Sequence, residues 1–465
     1  MSGLFVFFCC VLLLVAGYAL YGRLAEKVYG ADMTREMPCV AHPDGVDFVP
    51  LPTWKILLIQ LLNIAGLGPV VGAVSGCLFG PAALLWIVIG CIFAGAMHDF
   101  LAAMMSAERN GANLPELVGE NLGRAARYGM RALCILLLVM VGVVFTRMPA
   151  DMLGALIPDT DAAWWGIIIL AYYFFATILP INTIIGRVYP LFGALFLFMA
   201  VSLAVMLPLS GHEILPNLDF FTNVHPKGVS IWPCIFVTIA CGAISGFHAT
   251  QSPMMVRCLP DIRNTRRVFY GAMIIEGLVA LVWAVVGLTL REQLAGLAPG
   301  KAVNEACLLL LGPVGAFLAV LGVVALAVTS GDTAMRSCRL MIADVLHMRQ
   351  HTAGSRLFIA LPLFGCVILI SQLDFDVVWR YFGWANQALS CITLWTISVC
   401  LRRRGRWFWM SAVPAVFMTA MCCTFLLYAP ECAVCLPLEV ATGIGVGFAA
   451  VCFAAFMLRC KKPQK

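Results

Sequence analysis

Charge is scarce in this chain of 465 residues. Asp, Glu, Lys and Arg together make up 12% of it, against 62% hydrophobic residues. Soluble domains are about a quarter charged, so the scarcity excludes a mainly water-exposed protein and implies many membrane spans. No stretch gathers basic residues into one stripe, and the net charge of +6 therefore does not point to nucleic acid. No Cys/His set has convincing zinc-site spacing. Nearly all of the 20 cysteines stand singly inside apolar runs, where cysteine behaves as a small hydrophobe. Only Cys432 and Cys435 share a short loop, and spacing leaves open whether they pair. No nucleophile set, acid pair or metal cluster gathers near an interface, so neither an enzyme nor a resident cofactor is expected.

What fills the chain is apolar runs. They lie near 4–21, 54–79, 84–105, 130–148, 164–180, 188–209, 231–256, 268–290, 312–335, 356–371, 377–400, 407–428 and 437–458. At roughly 20 residues per crossing this predicts about thirteen transmembrane helices, an all-α polytopic membrane protein. The first run lacks a basic leader and a small-residue cleavage site, so it reads as a retained helix. Residues 22–53 form a polar connector with Asp32, Arg35, Glu36, Asp44 and Asp47 and four prolines. Loop charge alternates along the chain. Arg124, Arg127 and Arg131 are followed by Asp151, Asp159 and Asp161, and the basic loops at 257–267, 336–356 and 402–406 alternate with acidic ones. The positive-inside rule places the connector, the basic loops and the C-terminal tail in the cytoplasm, with the N-terminus outside.

Two runs are broken at their centres. Ile64 to Ala73 places Gly66, Gly68, Pro69 and Gly72 in mid-span. Glycine loosens a helix, proline removes a donor, and at membrane depth the freed backbone groups need a cavity or a ligand. A packing kink between close helices is the alternative for this break taken alone. The run 231–256 carries the second break, with Gly242, Gly246 and Pro253 among Ser245, His248, Thr250, Gln251 and Ser252. Five spans separate the two, so they cross in opposite directions. This predicts an inverted repeat with the substrate between the broken helices. The halves are residues 54–210 and 211–400. Residues 1–53 supply an extra helix and the connector, and 401–465 two further helices and a basic tail.

Several polar side chains lie inside spans. An imidazole at His248 suits a substrate carboxylate or a coupling proton, unless a facing carbonyl simply satisfies it. His98 and Asp99 read either as an inner gate or proton path, or as a polar pair near a helix end. Thr329, Ser330 and Asp332 suit a small hard cation, with carbonyls released at Ala65 and Gly68, or Asp332 pairs with Arg336 one turn on. Glu276 and Asn386 read as helix–helix bonding groups. The substrate-binding set is Gly66, Gly68, Pro69, Gly72, Ser245, Gly246, Phe247, His248 and Gln251.

Several stretches resemble the carbon starvation protein A family of bacterial transporters. They are the connector Arg35–Pro50, the break Ala65-Gly-Leu-Gly-Pro69, Ala94-Gly-Ala-Met-His-Asp-Phe100 and, most closely, Thr238–Ala249. Gly331–Arg336 and Phe382-Gly-Trp-Ala-Asn-Gln387 are weaker matches. The resemblance implies an inner-membrane secondary transporter for peptides or pyruvate, driven by an ion gradient. It also implies a leucine-transporter-like fold, a 5+5 inverted repeat of ten core helices. Longer members tend to carry a histidine pair where this chain has Ile59-Gln60. They continue Gly-Thr-Thr-Pro-Lys where it runs Gln251-Ser-Pro-Met-Met-Val-Arg257. The expectation is a symporter importing a small carboxylate-bearing nutrient (pyruvate, peptide or amino acid), coupled to H+ or Na+. A channel or a nutrient-sensing membrane protein is the rival class. The partners expected are the solute and the lipid bilayer, with the oligomeric state open.

Overall fold

Inside a bilayer a backbone can satisfy its N–H and C=O groups only within its own helix or a closed barrel. A computed structural model of the chain describes residues 3–45, 47–157, 159–179, 181–220, 222–429 and 434–460, and among them all regular structure is helical. Cys432 lies outside the described residues, so its pairing with Cys435 is not described.

Each apolar run becomes a helix or a helix pair. In chain order these are α1 (Gly3–Tyr29), α2a (Thr53–Ala65), α2b (Gly68–Phe79), α3 (Ala82–Ala107), α4 (Arg124–Leu156), α5 (Ala162–Ile178) and α6 (Ile181–Leu209). There follow α7a (Ile231–Thr238), α7b (Gly246–Val256), α8 (Ile262–Thr289), α9 (Pro299–Val345), α10 (Ala353–Ile370), α11 (Phe375–Arg403), α12 (Trp409–Tyr428) and α13 (Leu438–Arg459). Among the described residues, nine helices are long and apolar enough to cross a membrane, or ten when α2a and α2b count as one bent span. About thirteen were expected. The shortfall falls on α5, which has only 17 residues, on α7, broken into pieces of 8 and 11, and on α11, which carries Arg380, Asn386 and Gln387.

Several helices run past the expected apolar runs, α4 at both ends among them, and two of the differences bear on the packing. The first helix continues to Tyr29, so the connector starts at Gly30 and not at residue 22. The added turns are held by contacts beyond the apolar run: Glu26 pairs with Arg266 at 3.0 Å and Tyr29 lies beneath the Arg404 guanidinium. Helix α9 starts well before residue 312, with a non-helical Gly312 (φ 66°) ahead of Pro313 dividing it.

Packing places the breaks at the centre. Helix α9 lies against α2a, α4 and α6; α2a also packs on α8; and α7b packs on α3 and α11. At one end of the bundle the connector folds back under the core. Leu51 N–H donates to the Cys258 carbonyl at 3.0 Å, the Cys39 thiol reaches Leu259 O, and Arg257 covers the Phe48 ring. Asp47 is thereby buried, its Oδ1 3.5 Å from Arg336 and 3.9 Å from Arg339 on α9.

Candidate functional site

The first break is set by Gly66, which ends α2a at φ 41° and ψ −147°, a conformation other residues rarely adopt. The two halves meet at a 51° bend. Beyond it Gly68–Gly72 forms a π-turn, a distortion that recurs at functional sites. The second break, from Ile239 to Ser245, separates α7a from α7b. The two breaks touch. A Cβ added to Gly68 would sit 2.1 Å from Cys241 Cβ, so only glycine lets the two unwound segments approach this closely.

A cavity of about 350 Å³ opens from that junction. Gly68, Gly72, Thr238 and Cys241 form its floor, Trp379, Phe382 and Gly383 of α11 one wall, and His225, Lys227 and Arg380 stand among its lining residues. The loop residues 225–229 place its mouth at the opposite end from the connector. Ligand pockets run from roughly 300 to 1,000 Å³, so this one fits a compact solute.

Behind the floor runs a chain of buried ionisable groups. His98 Nδ1 is 2.8 Å from Asp99 Oδ1, and Asp99 Oδ2 is 2.9 Å from His248 Nδ1. His248 Nε2 is 3.5 Å from Glu276 Oε2, and Glu276 Oε1 accepts from the Gly242 N–H at 3.0 Å. All four side chains have no exposed surface. The chain therefore links α3, α7b and α8 through hydrogen-bonding groups able to hold or pass a proton. It joins His98 and Asp99 to His248, which the sequence treated as separate features.

Asn386 secures the second break from α11. Its Oδ1 accepts from Ser245 Oγ at 3.0 Å and from the Phe247 N–H at 2.8 Å. Glu276 and Asn386 are thus helix–helix bonding groups, as their types suggested, but what they bond is the broken backbone itself. Gly246 packs on Leu389 and Ser390, and Phe247 meets the Phe145 ring edge-on. Pro69 lies beside Gly242. Gln251 sits elsewhere: its Oε1 accepts from Ser337 on α9 at 3.4 Å, and it does not line the cavity.

The hydroxyls of Thr329 and Ser330 reach the first broken helix, each donating to Leu62 O at 3.0 Å. Leu62, rather than Ala65 or Gly68, supplies the carbonyl they meet, although Ser330 Oγ also lies near Gly66. Asp332 accepts from the Tyr172 hydroxyl at 3.0 Å and keeps Oδ1 without a partner. Arg336, the ion-pair partner of the alternative reading, faces Asp47 and donates to Ala176 O and Leu179 O. The sequence offered no signal for Asp47, since its position under α9 depends on the path of the connector.

Two broken helices meeting at mid-bundle, with a cavity at their junction, give the chain a fold of the leucine-transporter type. Mhp1, a nucleobase-cation-symport-1 family transporter solved in a closed conformation, has this fold: it matches 91% of this chain and 97% of its own, with a TM-score of 0.56 at 14% identity. A manganese transporter of Eremococcus coleocola matches 90% of this chain and 98% of its own, with a TM-score of 0.50 at 12% identity. The family described as Carbon starvation protein CstA matches residues 2–159, 134–307 and 300–425, and the chain belongs to it. It is a membrane transport protein and not an enzyme.

Among relatives, an uncharacterized membrane protein of Haemophilus influenzae is 41% identical over 65% of this chain and 95% of its own length. The peptide transporter CstA of Campylobacter jejuni is 26% identical over 90% of this chain and 79% of its own. The pyruvate/proton symporter BtsT of Escherichia coli is 26% identical over 59% of this chain and 47% of its own.

Proposed function

We propose that the chain is a proton-coupled importer of a small carboxylate-bearing solute, in the class of pyruvate, an amino acid or a short peptide. The observation that carries this is the cavity at the junction of the two breaks, backed by the buried chain His98–Asp99–His248–Glu276. A peptide transporter and a pyruvate/proton symporter among the relatives support both the solute class and the ion. Lys227 and Arg380 at the cavity attract an anion, and backbone groups near Gly68 and Gly72 on its floor bind it. A proton taken up by the buried chain changes the hydrogen bonds between α7b, α3 and α8, and so biases the exchange of access states.

The protein lies in the bacterial inner membrane with its N-terminus outside and its C-terminus cytoplasmic. Residues 54–210 and 211–400 are the two halves that rock against each other. In this arrangement the cavity opens outward, while Asp47 with Arg336 and Arg339 closes the cytoplasmic end. That closure favours alternating access over a channel. Thr329, Ser330 and Asp332, with the Leu62 carbonyl, are the place for Na+ if a second ion is used.

The test is solute accumulation in proteoliposomes. An inward proton gradient is expected to drive uptake of pyruvate, alanine or dialanine above equilibrium, and a Na+ gradient alone is not. Uptake that only equilibrates, with or without the proton gradient, removes the coupling.

A further inference from the structure

Cys241, on the floor of the cavity, meets His248 and Glu276 behind it. The Cys241 thiol sulfur, a ring nitrogen of His248 and a carboxylate oxygen of Glu276 lie within 4.8 Å of one another, and all three residues are buried. His248 Nε2 and Glu276 Oε2 face each other at 3.5 Å, and neither makes a hydrogen bond. Buried polar atoms are nearly always hydrogen-bonded, so two that only face each other beside a thiol are placed to share a cation.

The remaining atoms of these side chains are anchored. Asp99 holds His248 Nδ1 at 2.9 Å and is itself held by His98 at 2.8 Å. The Gly242 N–H holds Glu276 Oε1 at 3.0 Å. A carboxylate on the far ring nitrogen is how proteins fix the tautomer and orientation of a metal-binding histidine. It leaves Nε2 as the lone-pair donor.

We propose that Cys241, His248 and Glu276 bind a zinc-class divalent cation, with the fourth coordination position open to the cavity that Cys241 lines. One sulfur, one imidazole nitrogen and one carboxylate oxygen suit Zn2+ and its neighbours and not Mg2+ or Ca2+, which prefer all-oxygen shells. The thiol proton leaves through the cavity as the metal–sulfur bond forms, and thiolate and carboxylate together balance the two positive charges. Ligand atoms around a tetrahedral zinc stand about 3.5 Å apart, so the set needs to contract by about an ångström. Cys241 supplies that movement, because it belongs to the unwound segment between α7a and α7b and has no helical frame to break.

A bound ion ties that segment to α8 and occupies two members of the buried chain assigned to proton coupling. Only this consequence, that the metal blocks transport, rests on the function proposed above; the binding does not.

Purified protein in detergent is titrated with Co2+, an optical stand-in for Zn2+. The wild type is expected to gain a near-ultraviolet thiolate-to-metal band and the visible bands of tetrahedral Co2+, saturating at about one equivalent. Zn2+ removes both sets of bands and Mg2+ does not. Cys241→Ser loses the near-ultraviolet band, and Asp99→Asn keeps it with Co2+ affinity weakened about 10- to 100-fold. Size-exclusion profiles confirm that each variant is folded. No band in the wild type, or a band unchanged in Cys241→Ser, overturns the assignment, the latter because another of the cysteines is then the ligand. Metal binding is read here without transport, so a failed flux assay leaves it standing, and absent metal binding leaves proton-driven flux standing.

Discussion

His248 Nδ1 stands 2.9 Å from Asp99 Oδ2, joining the second broken helix to α3 across 149 residues of chain. Both side chains are fully buried, and the same histidine faces Glu276 on α8. A movement of α7b therefore remakes a hydrogen bond to α3 and a polar contact with α8, the kind of change the proposed proton coupling would use.

Asp99→Asn preserves the shape of this contact and removes the carboxylate. Proton-driven accumulation is expected to fall at least about tenfold, while solute exchange at equal pH stays within about threefold. Proteoliposome uptake and counterflow measure the two. Parallel loss of both assigns Asp99 to structure alone.

Gly68 lets the two breaks touch, and a Cβ there would collide with Cys241. Gly68→Val should destabilise the protein by about 1–3 kcal/mol as an overpacked contact, and should abolish uptake even where the protein still folds. Thermal unfolding in detergent and flux, read together, check this. Uptake retained by a folded variant shows that the close approach is dispensable.

Arg380 lies on the cavity lining near Lys227. For an anionic solute Arg380→Gln should raise KM by roughly three- to tenfold with little change in kcat, and added salt should shrink the difference. An unchanged KM for pyruvate places the attracting charge elsewhere.

Asp47 faces Arg336 and Arg339 from the connector. Removing one partner of a buried ion pair leaves the other charge uncompensated, typically at a cost of 3–5 kcal/mol. Asp47→Asn is therefore expected to loosen the connector and expose Cys258, whose thiol contacts Asp47 O at 3.7 Å. Maleimide labelling of Cys258 should quicken about tenfold or more; an unaltered rate would show that the connector is held without this pair.

Glu108, just beyond the end of α3, pairs with Arg404 just beyond α11. Burial pushes its carboxyl up, but the hydrogen bond and charge of Arg404, with the Tyr29 hydroxyl, outweigh burial and hold it below the usual glutamate value. A depressed folded value means that the stabilisation is present above the unfolded value, near 4.3, and is lost as pH falls through the folded one. Glu108→Gln should lower stability by roughly 1 kcal/mol at pH 7, and the difference from wild type should close below about pH 4. Thermal unfolding of both proteins across that range reads the effect.

Much of the fold was legible because a bilayer imposes a simple rule on sequence. Apolar runs long enough to cross it become helices, and glycine with proline in mid-run breaks them. Gly66, Gly68, Pro69 and the stretch from Gly242 to His248 announced both breaks, and an odd number of spans between them implied opposite directions. The count of spans was less secure, because α5, α7 and α11 trade length or apolarity for breaks and polar side chains.

The candidate site was legible only in part. His248, Asp99 and His98 stood out as ionisable groups at membrane depth, yet nothing in the spacing said that they form one chain. Glu276 and Asn386 resembled ordinary bonding groups between helices, and Gln251 resembled a ligand. Their roles follow from which neighbour each helix presents, which is a property of packing angles and not of composition.

The sequence by itself determined a many-span α-helical membrane protein with two broken helices running in opposite directions, since hydropathy and helix breaking act over a few adjacent residues. Only the tertiary structure decided that Gly68 meets Cys241, that Asp99 reaches His248 and that Asp47 lies against Arg336 and Arg339. Those pairs are separated by well over a hundred residues of chain, and a contact at that range is set by how the helices pack.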